Sequence, residues 1–381
     1  MIYCDYAATT PVDPRVADVL NRYLTKDGLF GNPSSVSHAF GRAARQAVEV
    51  ARAQVAQLIS ASPEEILWTS GATESNNLAL LGSARFYTRR GKHIVTVKTE
   101  HKSVLDVCSL LEREGFSVTY LDVDQDGLID INTLQASLRD DTVLVSVMLV
   151  NNETGVIQDV EAIGKITRER GIFFHVDGAQ AIGKIPVDVK AMHIDLLSMS
   201  AHKVYGPKGV GALYVSRSPK IRLQPLQVGG GQERGLRSGT LPTHQIAAQG
   251  EAFAIAERDM AKDHKHLQVL RDTLFKGLMS IGEVYANGSQ IGCVPGILNV
   301  SFNFVDSEAL LTALTDIAVS SGSACATESM EPSYVLKAMG AKEVLSRSAI
   351  RFSIGRFTTM DEIVYIIQHV SDAVKWLRAL K

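Results

Sequence analysis

Cysteine is scarce in this chain of 381 residues, which contains only four, at positions 4, 108, 293 and 325. They lie far apart, and no two of them form a C-x-x-C pair. A disulfide scaffold is therefore not expected, and neither is a cysteine zinc site, since both need clustered thiols. No metal site of another kind is predicted either. The pattern fits a reduced cytoplasmic enzyme in which most cysteines are inert core residues.

An excess of either charge is also missing, as is any long apolar run. Lys and Arg total 39 and Asp and Glu total 41, which gives a net charge of -2. A dedicated nucleic-acid binder would need a basic excess, so no stable nucleic-acid partner is expected. Charged residues between Asp5 and Asp18 interrupt any secretory signal, and no stretch is long enough to span a membrane. The expected location is the cytoplasm.

Short apolar, β-branched runs alternate with helical patterns from about residue 40 to residue 215. The predicted strands are 66–69, 93–97, 117–121, 143–150, 172–176, 196–199 and 211–215, with helices at 72–86 and 101–112 among them. This βαβ rhythm predicts an α/β fold whose mostly parallel central sheet is covered by helices on both faces.

The pattern changes after a helical, charged segment that runs from residue 241 to about 279. Strands at 297–302 and 349–353, a helix at 307–314 and a closing amphipathic helix then predict a smaller α+β domain. Together with the length of the chain, this suggests two domains. We assign residues 15–255 to a large domain, and residues 1–14 with 256–381 to a small domain.

Lys203 and Asp177 are the first candidates for chemistry, because each follows or ends a predicted strand. A lysine at the carboxyl edge of a sheet can be partly desolvated, which lowers its pKa and lets the neutral amine form a Schiff base. A carboxylate facing a pyridine nitrogen keeps that nitrogen protonated. The pair therefore matches a pyridoxal-phosphate (PLP) site. Taken singly, Lys203 fits a solvated loop lysine and Asp177 a turn or cap residue.

A phosphate site is expected between the strand at 66–69 and the helix that follows it. Gly71 permits close approach of the backbone, the helix start offers free N–H groups, and Thr73 adds a hydroxyl. The alternative is an ordinary capping box, and the two interpretations are compatible. Ser200 and His202 are further candidate phosphate donors.

Three more polar residues follow or lie within predicted strands. His101 could stack on a cofactor ring and transfer protons, although a lone histidine is unremarkable. Asn152 could bond a ring hydroxyl through its amide. Arg351 alternates with apolar neighbours on a strand and needs a partner, which is either a substrate carboxylate or a structural ion pair.

Cys325 is the candidate nucleophile. It lies in the segment Ser-Ser-Gly-Ser-Ala-Cys, where small neighbours favour an exposed thiol on a mobile loop. Cys108, in contrast, lies among apolar residues of a predicted helix and is expected to be a core residue.

These motifs together resemble the NifS/IscS-like cysteine desulfurases of the class V aminotransferase group. The similarity runs nearly from end to end. It is carried by Tyr3–Thr10, Gly31–Ser35, Lys203 with its neighbours, the Cys325 loop followed by Glu331–Leu336, and Arg351–Arg356. The resemblance implies a fold-type I PLP enzyme with a long catalytic loop, of the kind called group I.

The resemblance also implies a role for each site residue. Lys203 bonds PLP, Asp177 meets the pyridine nitrogen, and His101 stacks on the ring with a catalytic role. Further cofactor contacts are implied for Asn152, Gln180, Ala72, Thr73, Ser200 and His202, and for Thr240, which is expected to reach the phosphate of the partner subunit in a homodimer. Arg351, with Asn152, binds the substrate. Cys325 takes the sulfur from L-cysteine as a persulfide, and L-alanine leaves.

The acceptor of the sulfur stays open at this point. An iron–sulfur scaffold protein and a sulfurtransferase for tRNA or cofactor thiolation are both compatible with the motifs. Housekeeping bacterial members carry a C-terminal tail that helps to dock the scaffold, and this sequence ends at Lys381, soon after its final helix. The alternative functions are a selenocysteine lyase or another fold-type I PLP aminotransferase.

Overall fold

The computed structural model describes residues 1–321 and 332–380. Their strands are β1 (Ile2–Tyr3), β2 (Ile66–Thr69), β3 (His93–Val97), β4 (Ser117–Leu121), β5 (Thr142–Met148), β6 (Phe173–Asp177), β7 (Leu196–Ser200), β8 (Gly211–Val215), β9 (Val284–Ala286), β10 (Ile297–Phe302), β11 (Ile317–Ala318) and β12 (Ala349–Ser353).

The helices of the same residues surround these strands. They are α1 (Pro14–Asn21), α2 (Ala39–Leu58), α3 (Ala72–Phe86), α4 (Lys102–Arg113), α5 (Ile131–Ser137), α6 (Val160–Glu169), α7 (Thr243–Met279), α8 (Ser307–Ala313), α9 (Tyr334–Ala338), α10 (Glu343–Ser346) and α11 (Met360–Ala379). Short 3-10 turns occupy Pro63–Glu65, Ala201–Lys203 and Glu233–Gly235.

A seven-stranded sheet forms the centre of the fold, in the order β2-β8-β7-β6-β5-β3-β4. Only β8 runs antiparallel to its neighbours β2 and β7, and the other neighbouring pairs are parallel. The prediction of an α/β fold with a mostly parallel sheet is therefore confirmed. Because parallel strands share a direction, the carboxyl ends of β3, β5, β6 and β7 meet along one edge.

Two apolar layers cover the faces of this sheet. Phe173 and Phe174, which are adjacent on β6, belong to different core clusters because successive strand residues point to opposite faces. Cys108 packs in the layer that contains α3 and α4 and is fully buried, as predicted. Helix α2 contributes Val48 and Val55 to the opposite layer, and both are fully buried.

A second, smaller assembly of strands and helices follows. Strands β12, β10 and β9 form an antiparallel sheet in that order, and β1 pairs in parallel with β11. A separate core cluster joins Phe302 and Phe352 to Val374 of α11 and to Cys4 near the N-terminus. Helix α7, 37 residues long, contributes to both regions, through Phe253 and Leu274. The assignment of domain boundaries stays a prediction.

No helix among the described residues combines the length and the apolar character that crossing a bilayer requires.

Candidate active site

A cavity of about 540 Å³ opens at the carboxyl edge of the large sheet. It collects most of the residues that the sequence singled out, namely Ala72, Thr73, His101, Asn152, Asp177, Gln180, Ser200, His202, Lys203 and Arg351. Thr240 does not line it, and Cys325 lies outside the described residues. The fold therefore brings together, in one cavity, ten residues from segments that are far apart in the sequence.

Lys203 occupies the 3-10 turn that follows β7 and is half-buried in the cavity wall. Its Nζ donates hydrogen bonds to the carbonyl oxygens of Ala7 and, at 2.8 Å, of Ala8. The backbone N–H of Thr10 donates to the carbonyl oxygen of His202 at 2.9 Å, which holds the N-terminal segment against this turn. These two main-chain carbonyl groups orient the amine.

Asp177 is the last residue of β6, and its carboxylate is buried. Oδ1 accepts a hydrogen bond from the Ala179 N–H at 3.0 Å, and Oδ2 accepts one from the Asn76 amide at 2.8 Å. The same amide lies 2.9 Å from the Ser103 hydroxyl, which contacts Nδ1 of His101 at 2.8 Å. A hydrogen-bonded chain therefore links the predicted ring-stacking histidine to the predicted partner of the pyridine nitrogen.

The expected phosphate site lies at the start of α3. Its N-cap residue, Gly71, has no side chain to cap it, so the first N–H groups of the helix are available to an anion. Only half of the alternative capping box is present, because Glu74 reaches back to the Ser70 N–H at 2.7 Å while no side chain caps the helix N–H groups. The Ser200 hydroxyl is buried and has no partner among the described residues.

Two glycines allow the backbone to close around this site. Gly71 has a φ of +154°, which is rare for other residues. A Cβ atom on Gly211 would lie 2.6 Å from the Gly71 Cα, so a side chain there would force the start of β8 away from the turn that precedes α3. His202 faces the same region, and burial, reinforced by the charges of Lys203 and Lys208, lowers its pKa to about 4. It is therefore a neutral hydrogen-bonding group near pH 7.

Arg351, on β12, is buried and satisfies both predicted interpretations in part. Its Nη2 forms an ion pair with Asp5 at 2.8 Å, and its Nη1 donates to the Asn152 carbonyl oxygen at 2.8 Å. Its Nε and the Oδ1 of Asn152 are buried and have no partner among the described residues. The main chain of Arg351 also pairs with Ser320, through bonds of 2.7 and 3.3 Å.

Two buried glutamates next to predicted residues were not anticipated from the sequence. Glu100 precedes His101, and burial raises the pKa of its carboxyl well above the ordinary value. Glu153 follows Asn152, and burial raises its pKa to about 7. It accepts a hydrogen bond of 2.5 Å from the Ser333 hydroxyl. Their only sequence signal is their position beside a candidate residue.

The residues present fit PLP. A lysine amine, a buried aspartate on a neighbouring strand and an open helix N-terminus correspond to its aldehyde, pyridine nitrogen and phosphate. The unpartnered Ser200 hydroxyl adds a donor that a phosphate would satisfy. This fold and this cavity define a fold-type I PLP-dependent enzyme.

Comparison with known proteins narrows the class. The chain belongs to the Aminotransferase class-V family, which matches residues 2–366, and enzymes of this family use PLP. It is 58% identical to cysteine desulfurase IscS of Serratia proteamaculans over 379 residues, which cover 100% of this chain and 94% of the relative.

Solved structures agree with this result. A NifS-like protein superposes with a TM-score of 0.92 at 36% identity, covering 98% of this chain and 99% of that one. The protein SspA in complex with cysteine superposes with a TM-score of 0.83 at 37% identity, covering 94% and 100% of the two chains. The predicted membership in the NifS/IscS-like cysteine desulfurases is confirmed.

Proposed function

We propose that this chain is a cysteine desulfurase that removes sulfur from L-cysteine, releases L-alanine and holds the sulfur as a persulfide on Cys325. The observation that carries the proposal is the shared cavity of Lys203, Asp177 and Arg351. It is supported by the full-length similarity to proteins named cysteine desulfurase IscS, and by a similar structure that contains cysteine.

The residues of the cavity have distinct roles in this proposal. Lys203 would hold PLP, with Asp177 at the ring nitrogen and Thr73, Ser200, His202 and the start of α3 at the phosphate. Bound PLP supplies an electron sink for the substrate carbon. Arg351 binds the carboxylate of the substrate through its unpartnered Nε and so orients the substrate. Asn152 also contacts the substrate in this proposal.

Proton transfer and sulfur transfer complete the proposed reaction. The Lys203 amine would remove the proton at the substrate Cα and return protons later, with His101 nearby as a second proton carrier. The Cys325 thiolate attacks the substrate sulfur, the Cβ–S bond breaks, and the bonding electrons remain with the carbon side. A proton on that carbon gives L-alanine, so no external oxidant or reductant is needed.

The assembly and the destination of the sulfur belong to the same proposal. Thr240 is exposed, as are the apolar residues Leu226 and Val228 near it, which is compatible with a homodimer in which Thr240 reaches the partner subunit's phosphate site. We propose a cytoplasmic enzyme that passes sulfur to an iron–sulfur scaffold or to a thiolation sulfurtransferase.

A matched pair of cysteine variants tests the proposal. Purified wild type, C325S and C293S are given L-cysteine, alanine is quantified, and protein persulfides are alkylated and located by mass spectrometry. We expect alanine from wild type and C293S, a persulfide at position 325, and loss of both in C325S with the PLP absorbance unchanged. Alanine formation that persists in C325S would contradict the sulfur-transfer role and favour another PLP reaction.

A further inference from the structure

A second lysine lies close to Lys203. Lys184 is half-buried in the segment that follows β6, and its Nζ donates a 2.5 Å hydrogen bond to Oε1 of Gln180. The Nε2 of Gln180 donates to the Ala7 carbonyl oxygen at 2.8 Å, and that same oxygen accepts from Lys203. The two ammonium groups are therefore separated by only one side-chain amide and one carbonyl group.

The two lysines also line a second, small cavity of about 40 Å³, separate from the cavity at the carboxyl edge of the sheet. Its other polar and charged lining residues are Tyr6, Thr10, Tyr205, Asp263 and His264. On the active-site side the charged and titratable groups are Glu74, His101, Asp177, His202, Lys208 and Arg351. Asp263 is paired with Arg356, and Lys184 forms no ion pair among the described residues.

We propose that Lys184 is a positioning residue that places a second positive charge beside Lys203 and so favours loss of the proton from the Lys203 nitrogen. The bond to Gln180 fixes where that charge lies. This inference rests on the proposed attachment of PLP to Lys203, and it adds a residue to which no role had been given.

The physical basis is repulsion between like charges in a poorly solvated site. A neighbouring cation destabilises a protonated amine and lowers its pKa, which is one of the ways in which enzymes activate lysines. The effect is reciprocal, and burial together with the charges of Lys203 and Arg351 lowers the pKa of Lys184 to about 7. The two lysines therefore titrate as a coupled pair. When one of them loses its proton, the pKa of the other rises.

The protonation state of the Lys203 nitrogen in the holoenzyme is visible in the absorbance of the bound PLP. We would titrate that absorbance with pH in wild type, K184M, K184Q and K184R, with K190M as the control, since Lys190 is exposed in the same segment. K184M and K184Q should raise the apparent pKa of the transition by about one. K184R and K190M should stay within about 0.3 of wild type.

Glutamine retains a hydrogen-bond donor toward Gln180 but not the charge, so K184Q separates the two effects. A K184Q titration that coincides with wild type would overturn the proposal, whatever K184M does. The same would follow if K190M shifted the curve as far as K184Q. Alanine formation by wild type is measured in parallel, because its absence would defeat the proposed desulfurase function without affecting the absorbance titration.

Discussion

The side-chain amide of Asn76 donates a 2.8 Å hydrogen bond to the Asp177 carboxylate. Asn76 is fully buried on α3, the helix whose N-terminus forms the expected phosphate site. One helix therefore supports two parts of the proposed cofactor site, the phosphate at its start and the ring partner one turn later. The amide also reaches Ser103 and, through it, His101.

Replacing Asn76 with Ala should weaken PLP binding. The Asp177 carboxylate would lose one of its two donors, and hydrogen bonds to charged groups contribute about 1.5–3 kcal/mol. We expect the dissociation constant of PLP to rise by about tenfold or more. Equilibrium dialysis followed by absorbance measures it. The control is N77A, because the Asn77 amide donates to the Thr73 carbonyl oxygen and not to Asp177. Equal PLP affinity in wild type and N76A would contradict a supporting role.

Replacing Arg351 with Lys should raise the KM for L-cysteine. An ammonium group retains the charge, but its three N–H groups radiate from one nitrogen. They cannot reach Asp5, Asn152 and a carboxylate in different directions, as the planar fork of a guanidinium can. We expect KM to rise by about tenfold or more, which corresponds to about 1.4 kcal/mol, while kcat changes less. Steady-state alanine formation gives both constants. R347K, at an exposed position directly after α10, is the control, and an unchanged KM in R351K would remove Arg351 from the substrate site.

Replacing Gly211 with Ala should damage the phosphate site from the side of the sheet. The new Cβ would lie 2.6 Å from the Gly71 Cα and 2.5 Å from the Met199 carbonyl oxygen, and backbone atoms cannot rotate away. We expect a loss of about 1–3 kcal/mol in the free energy of unfolding and weaker PLP binding. Urea unfolding and dialysis measure these. In the control, G292A, the nearest atom to the new Cβ is the Ser289 Oγ at 4.0 Å.

The Glu153 carboxyl should make the stability of the protein depend on pH in a defined window. Burial raises its pKa from 4.5 to about 7, so the folded state binds this proton more tightly than the unfolded chain does. The contribution of this carboxyl to the free energy of unfolding is therefore fully present below about pH 4.5. It is lost as the pH rises toward about 7, by up to roughly 3 kcal/mol.

The variant E153Q, which does not titrate, should escape this loss. The free energy of unfolding of E153Q minus that of wild type should increase by up to about 3 kcal/mol between roughly pH 5 and pH 8. Urea unfolding of both proteins at about pH 5 and about pH 8 measures this difference. The control E161Q alters an exposed glutamate on α6. A constant difference between E153Q and wild type across the window would show that Glu153 does not titrate there.

The strands were predictable because most of them are short, buried and rich in β-branched residues. β2, β3 and β8 begin and end at the predicted residues. The prediction for β5 extended to residue 150, but the strand ends at Met148, because Val150 already pairs with Ile157 across the turn that follows. The apolar pattern continues through Val150 and gives no sign of this change.

The site was predictable only where a residue has a local signature, such as Lys203 after a strand. Asn76 and Asp5 act on Asp177 and Arg351 across 101 and 346 positions of the chain. Lys184 looks like an ordinary surface lysine in the sequence. Such contacts depend on how the segments are brought together, so a linear pattern does not reveal them.

The pairing of Ser320 with Arg351 fixes one end of the segment that carries Cys325. Cys325 follows Ser320 by five residues, so covalent geometry keeps their Cα atoms within about 18 Å of each other in any conformation. If this thiol delivers the sulfur, its travel is limited by a chain of known length that is anchored at the strand carrying Arg351. A recipient therefore has to bring its accepting atom within that fixed distance of the strand that carries Arg351.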